Sequence, residues 1–462
     1  MQELNLGYHY PIIYWNTACL IINAGANEEL DDNKSTQYGK IAKAIANFKQ
    51  RSIIVDRPLI NEAKFSFVPD EKNNRIIFSF KGLCGIGDDI ARAIVEHQPY
   101  SSFEDFCKRM VDTKIIGTAK MIILIKAGCF NELDSPDRME TMKKFLSRNV
   151  FTPTDKLTMQ QFNSALEYDI FPKEMETMIR IKNFKAYALH ESFFLKNIID
   201  EGKKVPKKGY HDRYFALDER GTEFLMEHFN TCIVGTKEDG VIISEKLFNK
   251  EWDTLIQPLK DYMALPETLQ LYNQKKLDST MESYASGSLE QWDMESLSYY
   301  PDRHELWNLN EPKYGVVDYN LLSETPQVYQ YITRRIRGEI KHTPKFQIVR
   351  LAGTVLDSDN NKHLVTLLTN HGVVTCKYNK GQYSYYNKRI SEQTPAGKKK
   401  VLEESWFKRG SKIIVCGYRR EDQFVIMKYP DTVYTHTTNR IEEIYNDGTI
   451  LAQTDRKKVG ED

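Results

Sequence analysis

The 462-residue sequence predicts a multidomain α+β architecture, mostly helical in its N-terminal part and ending in a β-barrel near the C terminus. Three observations carry this expectation. Apolar residues recur every three or four positions through much of residues 1–135, a Gly-Ile-Gly turn at 85–87 opens an amphipathic run, and after Phe346 the period shortens to two in five brief runs. Apolar residues make up 41% and charged residues 28%, which excludes a disordered or collagen-like chain. At about 100 to 200 residues per domain, the chain has room for several cores.

Lys and Arg (64) balance Asp and Glu (64), so net charge selects no partner. The distribution does: residues 341–428 hold 17 Lys/Arg against 7 Asp/Glu, whereas residues 221–310 sum to about −9. The first segment suits phosphates and the second repels them. Seven cysteines (Cys19, Cys84, Cys107, Cys129, Cys232, Cys376, Cys416) without a Cys-x-x-Cys pair argue against a disulfide framework or a zinc site, and fit a reducing cytoplasm. The longest apolar stretch, Tyr10 to Ala24, is interrupted by Asn16, Thr17 and Asn23 and has no basic segment before it, so neither a membrane span nor a secretory signal is expected.

In chain order, His9-Tyr10-Pro11 leads into an apolar helix through Ile12, Ile13, Trp15, Leu20 and Ile21. Tyr38, Ile41, Ile45 and Phe48 predict a second helix over 38–51, with Lys40, Lys43 and Lys49 on its outer face. Strand-like runs follow at Ile53 to Val55 and Arg75 to Phe80. Residues 82–96 then place Gly85 and Gly87 around Ile86, with Ile90, Ala91, Ile94 and Val95 forming a helix face behind them. This is the pattern of a helix-hairpin-helix, in which side-chain-free turns let backbone N–H groups reach a phosphate at a helix N-terminus. Lys81, Gly85, Ile86, Gly87 and Arg92 are the candidate duplex contacts, gripping the DNA backbone without reading sequence. A plain glycine turn between helices is the bland alternative. A second helical pair is expected at Ser102 to Arg109 and Ala119 to Leu133.

Residues 151–290 carry no assignable motif and read as an insertion of unknown role, alternating helical and strand-like segments (Phe162 to Ile170, Glu174 to Ile199, Cys232 to Val234, Val241 to Ile243). Its Gln161-Phe162 and Gln270-Leu271-Tyr272 resemble clamp-docking peptides only as chance would allow. His190, His211, His228, Glu191 and Asp212 lack metal-ligand spacing.

Five strands are expected at Phe346 to Leu356, Leu364 to Leu368, Val373 to Tyr378, Lys412 to Tyr418 and Gln423 to Tyr429, joined by loops such as Asp357 to Lys362 and Ser391 to Lys400. Five short strands with a long connection between the third and fourth outline an OB-fold barrel. Aromatics and cations interleave there, as single-strand binding by stacking and phosphate tracking requires. The candidate contacts are Lys377, Lys380, Tyr383, Tyr385, Lys388, Arg389 and Arg419. Tyr383, Tyr385 and Tyr386, set in a polar loop, are expected to be exposed; Trp406 and Phe424 are expected to be packed.

Together these pieces resemble the C-terminal part of the bacterial DNA polymerase III alpha subunit, the C-family replicative polymerase. The matching residues are His9-Tyr10-Pro11, Ile60-Asn61-Glu62 with Phe67, Ile76 to Gly87, Ser102 to Cys107, Leu124 to Phe130, and Glu295 to Tyr300 with His304 and Leu306. The resemblance implies the end of the fingers at 1–68, a tandem helix-hairpin-helix domain at 69–150, a connector at 291–340 beyond the insertion, an OB-fold at 341–430 and a tail at 431–462. The family's palm and PHP domains find no counterpart, and no catalytic or metal-ligating residue is assigned. Asp357 and Asp359 have Asp-x-Asp spacing but sit in a Ser/Asn turn. Cys84 replaces a usual lysine and Glu305 a usual proline. The resemblance thus implies a split or phage-encoded version of the polymerase in a bacterial or phage-infected cell. This chain would hold duplex and single-stranded DNA, while a separate palm-bearing chain brings the Mg²⁺. The resemblance also brings a sliding clamp into consideration as a partner. A stand-alone, non-catalytic DNA-binding protein is the alternative, and the first 68 residues separate the two: in the split reading the helix from Ile12 to Ile22 lacks its packing partner.

Overall fold

The computed structural model describes residues 11–26, 35–49, 51–195, 213–237, 240–336, 338–393, 399–427 and 437–457. His9, Tyr10, His211 and Asp212, the end of the helix expected to reach Ile199, and the last residues of the expected fifth strand lie outside the described residues. The chain forms two compact units, one of Met1–Met142 with Gly287–Asp462 and one of Lys143–Ser286.

In the first unit, α1 (Ile12–Ala24) buries Ile13, Asn16, Thr17, Leu20 and Ala24 along one stripe, spaced at three and four residues as a helix requires. The expected lack of a packing partner therefore holds for only one side, where Ile12, Trp15 and Ile22 stand exposed. Helix α2 (Tyr38–Lys49) buries Ile41, Ala42, Ile45 and Phe48. A small sheet pairs Ile54–Asp56 parallel and Val68–Asp70 antiparallel with Arg75–Ile77. After it come the two helices that matter for the site, α3 (Asp88–Glu96) and α4 (Thr118–Ala127). Between them Phe103–Phe106 runs into one π-turn at Cys107–Val111. Tyr100, Phe103, Phe106 and Phe130 pack edge to face at 4.7 to 5.1 Å, fixing the two hairpins on one aromatic core. Helix α5 (Leu289–Leu297) completes this half, with Trp292, Asp293 and Ser296 buried.

Next comes a two-stranded ribbon, β1 (Val328–Ile336) and β2 (Glu339–Phe346), where the sequence had suggested a connector. The barrel follows: β3 (Val349–Asp359), β4 (Leu364–Thr369), β5 (Gly372–Lys377), helix α6 (Lys380–Asn387), β6 (Lys412–Arg420) and β7 (Gln423–Ile426). Pairing runs β3-β4-β5-β7-β6 and returns from β6 to β3, with only β5 and β7 parallel, so five strands close an OB-like barrel. Phe346 belongs to the ribbon, and the first barrel strand starts three residues later. Alternate residues turn inward, including Leu351, Val355, Val365, Leu367, Val374, Cys376, Ile413, Val415, Phe424 and Ile426. Trp406 and Phe424 are buried as expected. Strands β8 (Thr438–Ile444) and β9 (Ile450–Gln453) extend the sheet beyond β6.

The second unit has a three-stranded sheet, Tyr214–Ala216, Gly240–Ser244 and Ile233–Lys237, and helices that include Glu176–Ala188, Glu219–His228 and Pro266–Tyr284. Phe215, Leu225, Phe229, Ile243 and Phe248 form one of its cores. Tyr272 and Phe162, the aromatic residues of the two clamp-like peptides, are buried there, while Leu271 is 40% exposed. Among the described residues no helix is long and apolar enough to cross a membrane.

Candidate nucleic-acid interface

The first hairpin is built by a tight turn. Gly85 takes φ +85°, a conformation that favours glycine, while Ile86 drops into the core at 4% exposure. Gly87 is the N-cap of α3, extended at φ −83° and ψ 167°, with no side-chain cap. The first N–H groups of the helix are therefore left for a ligand. A Cβ placed on Gly87 would meet no heavy atom within 4 Å, so this N-terminus is open.

The second hairpin, expected as a helical pair but with none of its turn residues singled out from the sequence, repeats this geometry. Gly117 caps α4 at φ −83° and ψ 164°, and a Cβ there would likewise meet nothing within 4 Å. Ile116, the counterpart of Ile86, is 1% exposed. The first turn of α4 carries no acidic residue and holds Lys120, whose Nζ donates to the Gly85 carbonyl and ties the two turns together. By contrast, α3 begins with Asp88 and Asp89. These would repel a phosphate, but Asp88 is already paired with Lys81. The available signal was Ile116-Gly117 ahead of an apolar helix, the same order as Ile86-Gly87.

Several candidates hold other posts. Lys81 is 13% exposed and engaged by Asp88, so it neutralises the hairpin's own acid instead of standing free. Arg92 lies 4.1 Å above the Phe65 ring, at the hairpin's side. Cys84 is buried: its N–H donates to the Ser296 carbonyl at 2.8 Å, and its Sγ lies 2.9 Å from Ser298 Oγ. Burial pushes its thiol up.

On the barrel, the expected polar loop is helix α6, capped by Asn379, which accepts from the Gln382 N–H at 3.0 Å. A helix at this place turns Tyr383 and Tyr386 inward. Tyr383 is 3% exposed, stacks near Tyr378 and Phe407, and donates to Asn360 at 2.8 Å; Tyr386 is wholly buried against Trp406. Neither can stack on a base. Tyr385 is half-buried beside Tyr386. Arg419 also departs from expectation, since it donates to the Leu322 carbonyl at 2.9 Å and pairs with Glu324 at 3.2 Å over the Tyr319 ring. Lys377 is half-buried and donates to the Lys362 carbonyl, while Lys380, Lys388 and Arg389 stay exposed, the last 3.3 Å from Glu404.

Among the described residues no three His, Cys, Asp or Glu side chains come together as metal ligands. Asp357 and Asp359 instead accept turn N–H groups, from Ser358 at 2.8 Å and from Asn361 and Lys362 at 2.9 Å. These donors do not fit a paired-metal site.

A family model for the helix-hairpin-helix motif matches residues 52–140, the stretch that contains both hairpins. Two curated proteins are 40% identical to the chain over 470 aligned positions: a probable DNA polymerase YorL of Bacillus subtilis (strain 168) and a DNA-directed DNA polymerase of Bacillus phage SPbeta. Each alignment covers 99% of this chain and 34% of the relative, so the chain spans about a third of the length of the relatives it matches. Along nearly all its length, the chain is related to DNA polymerases and carries a helix-hairpin-helix motif.

Proposed function

We propose that this chain is the DNA-holding portion of a replicative DNA-directed DNA polymerase of the C-family, the type of the polymerase III alpha subunit. The two open helix N-termini at Gly87 and Gly117 carry the reading. Set on one aromatic core with matching backbone angles, they suit two phosphates of a duplex backbone and leave the bases unread. Lys380, Lys388 and Arg389 supply exposed cations on the barrel for a single-stranded template.

Nucleotidyl transfer draws on carboxylates that converge on metal ions. With no such donor group among the described residues, the reading gives that step and its Mg²⁺ to a palm-bearing portion, on whose surface the exposed Ile12, Trp15 and Ile22 of α1 would dock. In this division the chain raises the residence of primed DNA at a site it does not itself form.

The test is fluorescence anisotropy with a primed duplex, followed by primer extension with and without a palm-bearing polymerase fragment. The expected result is salt-sensitive DNA binding by the chain alone and extension only in the combined sample. Extension by the chain alone would refute the division of labour, and failure to bind primed DNA at low salt would refute the DNA-holding role. Binding with no stimulation of any palm-bearing fragment would favour a stand-alone DNA-binding protein.

A further inference from the structure

We infer that the second unit carries a self-association surface, in which the groove between its helices Glu176–Ala188 and Glu219–His228 seats the same groove of a second copy of this chain. The inference is independent of the DNA-holding reading and gives a role to a segment that reading leaves unused.

The two helices lie antiparallel. Near the end of the first, the Tyr187 hydroxyl donates to Asp218, the N-cap of the second, at 2.7 and 2.8 Å. Phe184 and Phe224 pack with ring centres 4.3 Å apart, and the Arg180 guanidinium lies 5.3 Å from the Phe224 ring. Each helix thus turns one stripe, with steps of three and four residues, into a groove of about 560 Å³. Arg180, Phe184 and Tyr187 come from one helix, and Arg220, Phe224 and Glu227 from the other. The three rings are half-buried, whereas the charged side chains stand exposed.

These charges are left unused by the fold. Among the described residues no ion pair engages Arg180, Arg220 or Glu223, and Glu227 meets only the His228 ring, at 3.6 Å. Asp218 feels Arg220, but its carboxylate already accepts from the Tyr187 hydroxyl and, at 2.8 Å, from the Gly221 N–H. Nor do the charges serve their own helix, since a cation in the first turn and a carboxylate in the last is the order its dipole disfavours. Residues 221–310 sum to about −9, so DNA is not the occupant.

The charge pattern fits its own copy. Arg220 and Glu227 are seven residues apart, about 10 Å along the helix, with Phe224 between them. If the 219–228 helix packs antiparallel on its copy across a two-fold axis beside Phe224, Arg220 of each chain meets Glu227 of the other. Glu223 then comes over the second copy's Phe224 ring, where that copy's Arg180 stands. Every unused charge gains an opposite one and the half-buried rings close on each other, as an isologous interface requires.

The test is analytical ultracentrifugation of the full chain without DNA, at concentrations up to about 100 μM. A reversible dimer is expected. Arg220→Glu and Glu227→Arg each set like charges opposite one another at both ends, and each is expected to weaken dimerisation about tenfold or more. Both changes suit the dipole of the helix, so the loss does not report unfolding. Mixed in equal amounts, the two variants regain both opposite-charge pairs, and a heterodimer of wild-type strength is expected. A wild-type chain that stays monomeric would overturn the inference, and so would a mixture that associates no better than either variant alone. Either result leaves the DNA-holding reading untouched, because primed-duplex anisotropy reads that separately on the same samples.

Discussion

Replacing Gly87 and Gly117 by valine separates phosphate binding from folding, because the structure leaves room for both side chains. Each backbone angle is one any residue adopts, and an added Cβ meets no atom within 4 Å. The folding cost is therefore limited to the weaker capping preference of valine, about 1 kcal/mol per helix. The binding cost is larger. A valine over each N-terminus holds a phosphate away from the helix N–H groups, and a hydrogen bond to a charged group is worth about 1.5–3 kcal/mol. Loss of one such bond weakens duplex affinity about tenfold or more, and the double variant exceeds either single one. Gly85→Val is the contrast: at φ +85°, with Ile123 Cδ1 3.2 Å from its added Cβ, it strains the turn itself by about 1–2 kcal/mol and lowers stability as well as binding. Duplex anisotropy and thermal unfolding on the same samples check the argument. If the folded Gly87→Val, Gly117→Val double variant keeps wild-type duplex affinity, the hairpins are structural turns and the phosphate reading is wrong.

Tyr383→Ala is expected to act as a core truncation, costing about 3–5 kcal/mol seen as a lower melting temperature and not as a selective loss of single-strand binding. Replacing Lys388 and Arg389 by alanine is expected to leave stability near wild type and to reduce the slope of single-strand affinity against log salt by about 1.4, the equivalent of two phosphates. Arg456→Ala removes the partner of buried Glu403, 2.6 Å away with both side chains at or below 3% exposure, and is expected to cost about 3–5 kcal/mol in denaturant titrations. His304 gives a pH dependence: burial holds its imidazole down at about 4 against an ordinary 6.5, with Nδ1 accepting from the Leu306 N–H at 3.0 Å and Nε2–H donating to the Leu368 carbonyl at 2.9 Å. Because the folded state resists protonation, its stability is full above pH 6.5 and falls towards pH 4, by about 3 kcal/mol in all. A His304→Gln variant should lose that acid sensitivity in the same titrations.

The first hairpin and the barrel strands were legible because each depends on local pattern: Gly-Ile-Gly before an amphipathic helix, and period two in short runs. The second hairpin was harder to see, because Lys114-Ile115-Ile116-Gly117 has one glycine where the first has two. Lys114 itself adopts φ +63°. Helix α6 was misread as a loop on composition. Its Asn379 cap and the three-residue step from Tyr383 to Tyr386 were there to be read, yet their weight depends on a hydrophobic interior waiting beneath them. The ribbon was missed because its alternation carries tyrosines and cations in place of a buried face. Arg456 was illegible in principle: its partner Glu403 lies 53 residues earlier, and nothing local marks a tail residue that must reach back over a barrel helix.

The segment from Leu289 to His304 shows how a stretch recognisable only by resemblance acquires a physical role. Towards the hairpins, Asp293 accepts from Arg57 at 2.6 and 2.9 Å and from Arg138 at 2.5 Å, at 3% exposure, while the Ser296 carbonyl accepts from Cys84. Towards the barrel, Tyr300 donates to Thr354 at 3.1 Å, Arg409 to Ser298 at 3.2 Å, and His304 to the Leu368 carbonyl. Glu305, where the resemblance led one to expect proline, pairs with Lys412 of β6 at 2.5 Å. A buried carboxylate needs partner cations, so the two arginines and Asp293 stand or fall together, and the same short segment is bonded to both the hairpin domain and the barrel. The segment is thus joined to the hairpins by directional polar contacts and to the barrel by polar contacts together with the apolar packing of Met294 and Tyr300 against Leu356 and Leu368. One segment joined to both is what a protein needs if one element is to keep hold of the duplex while another receives the strand leading into it.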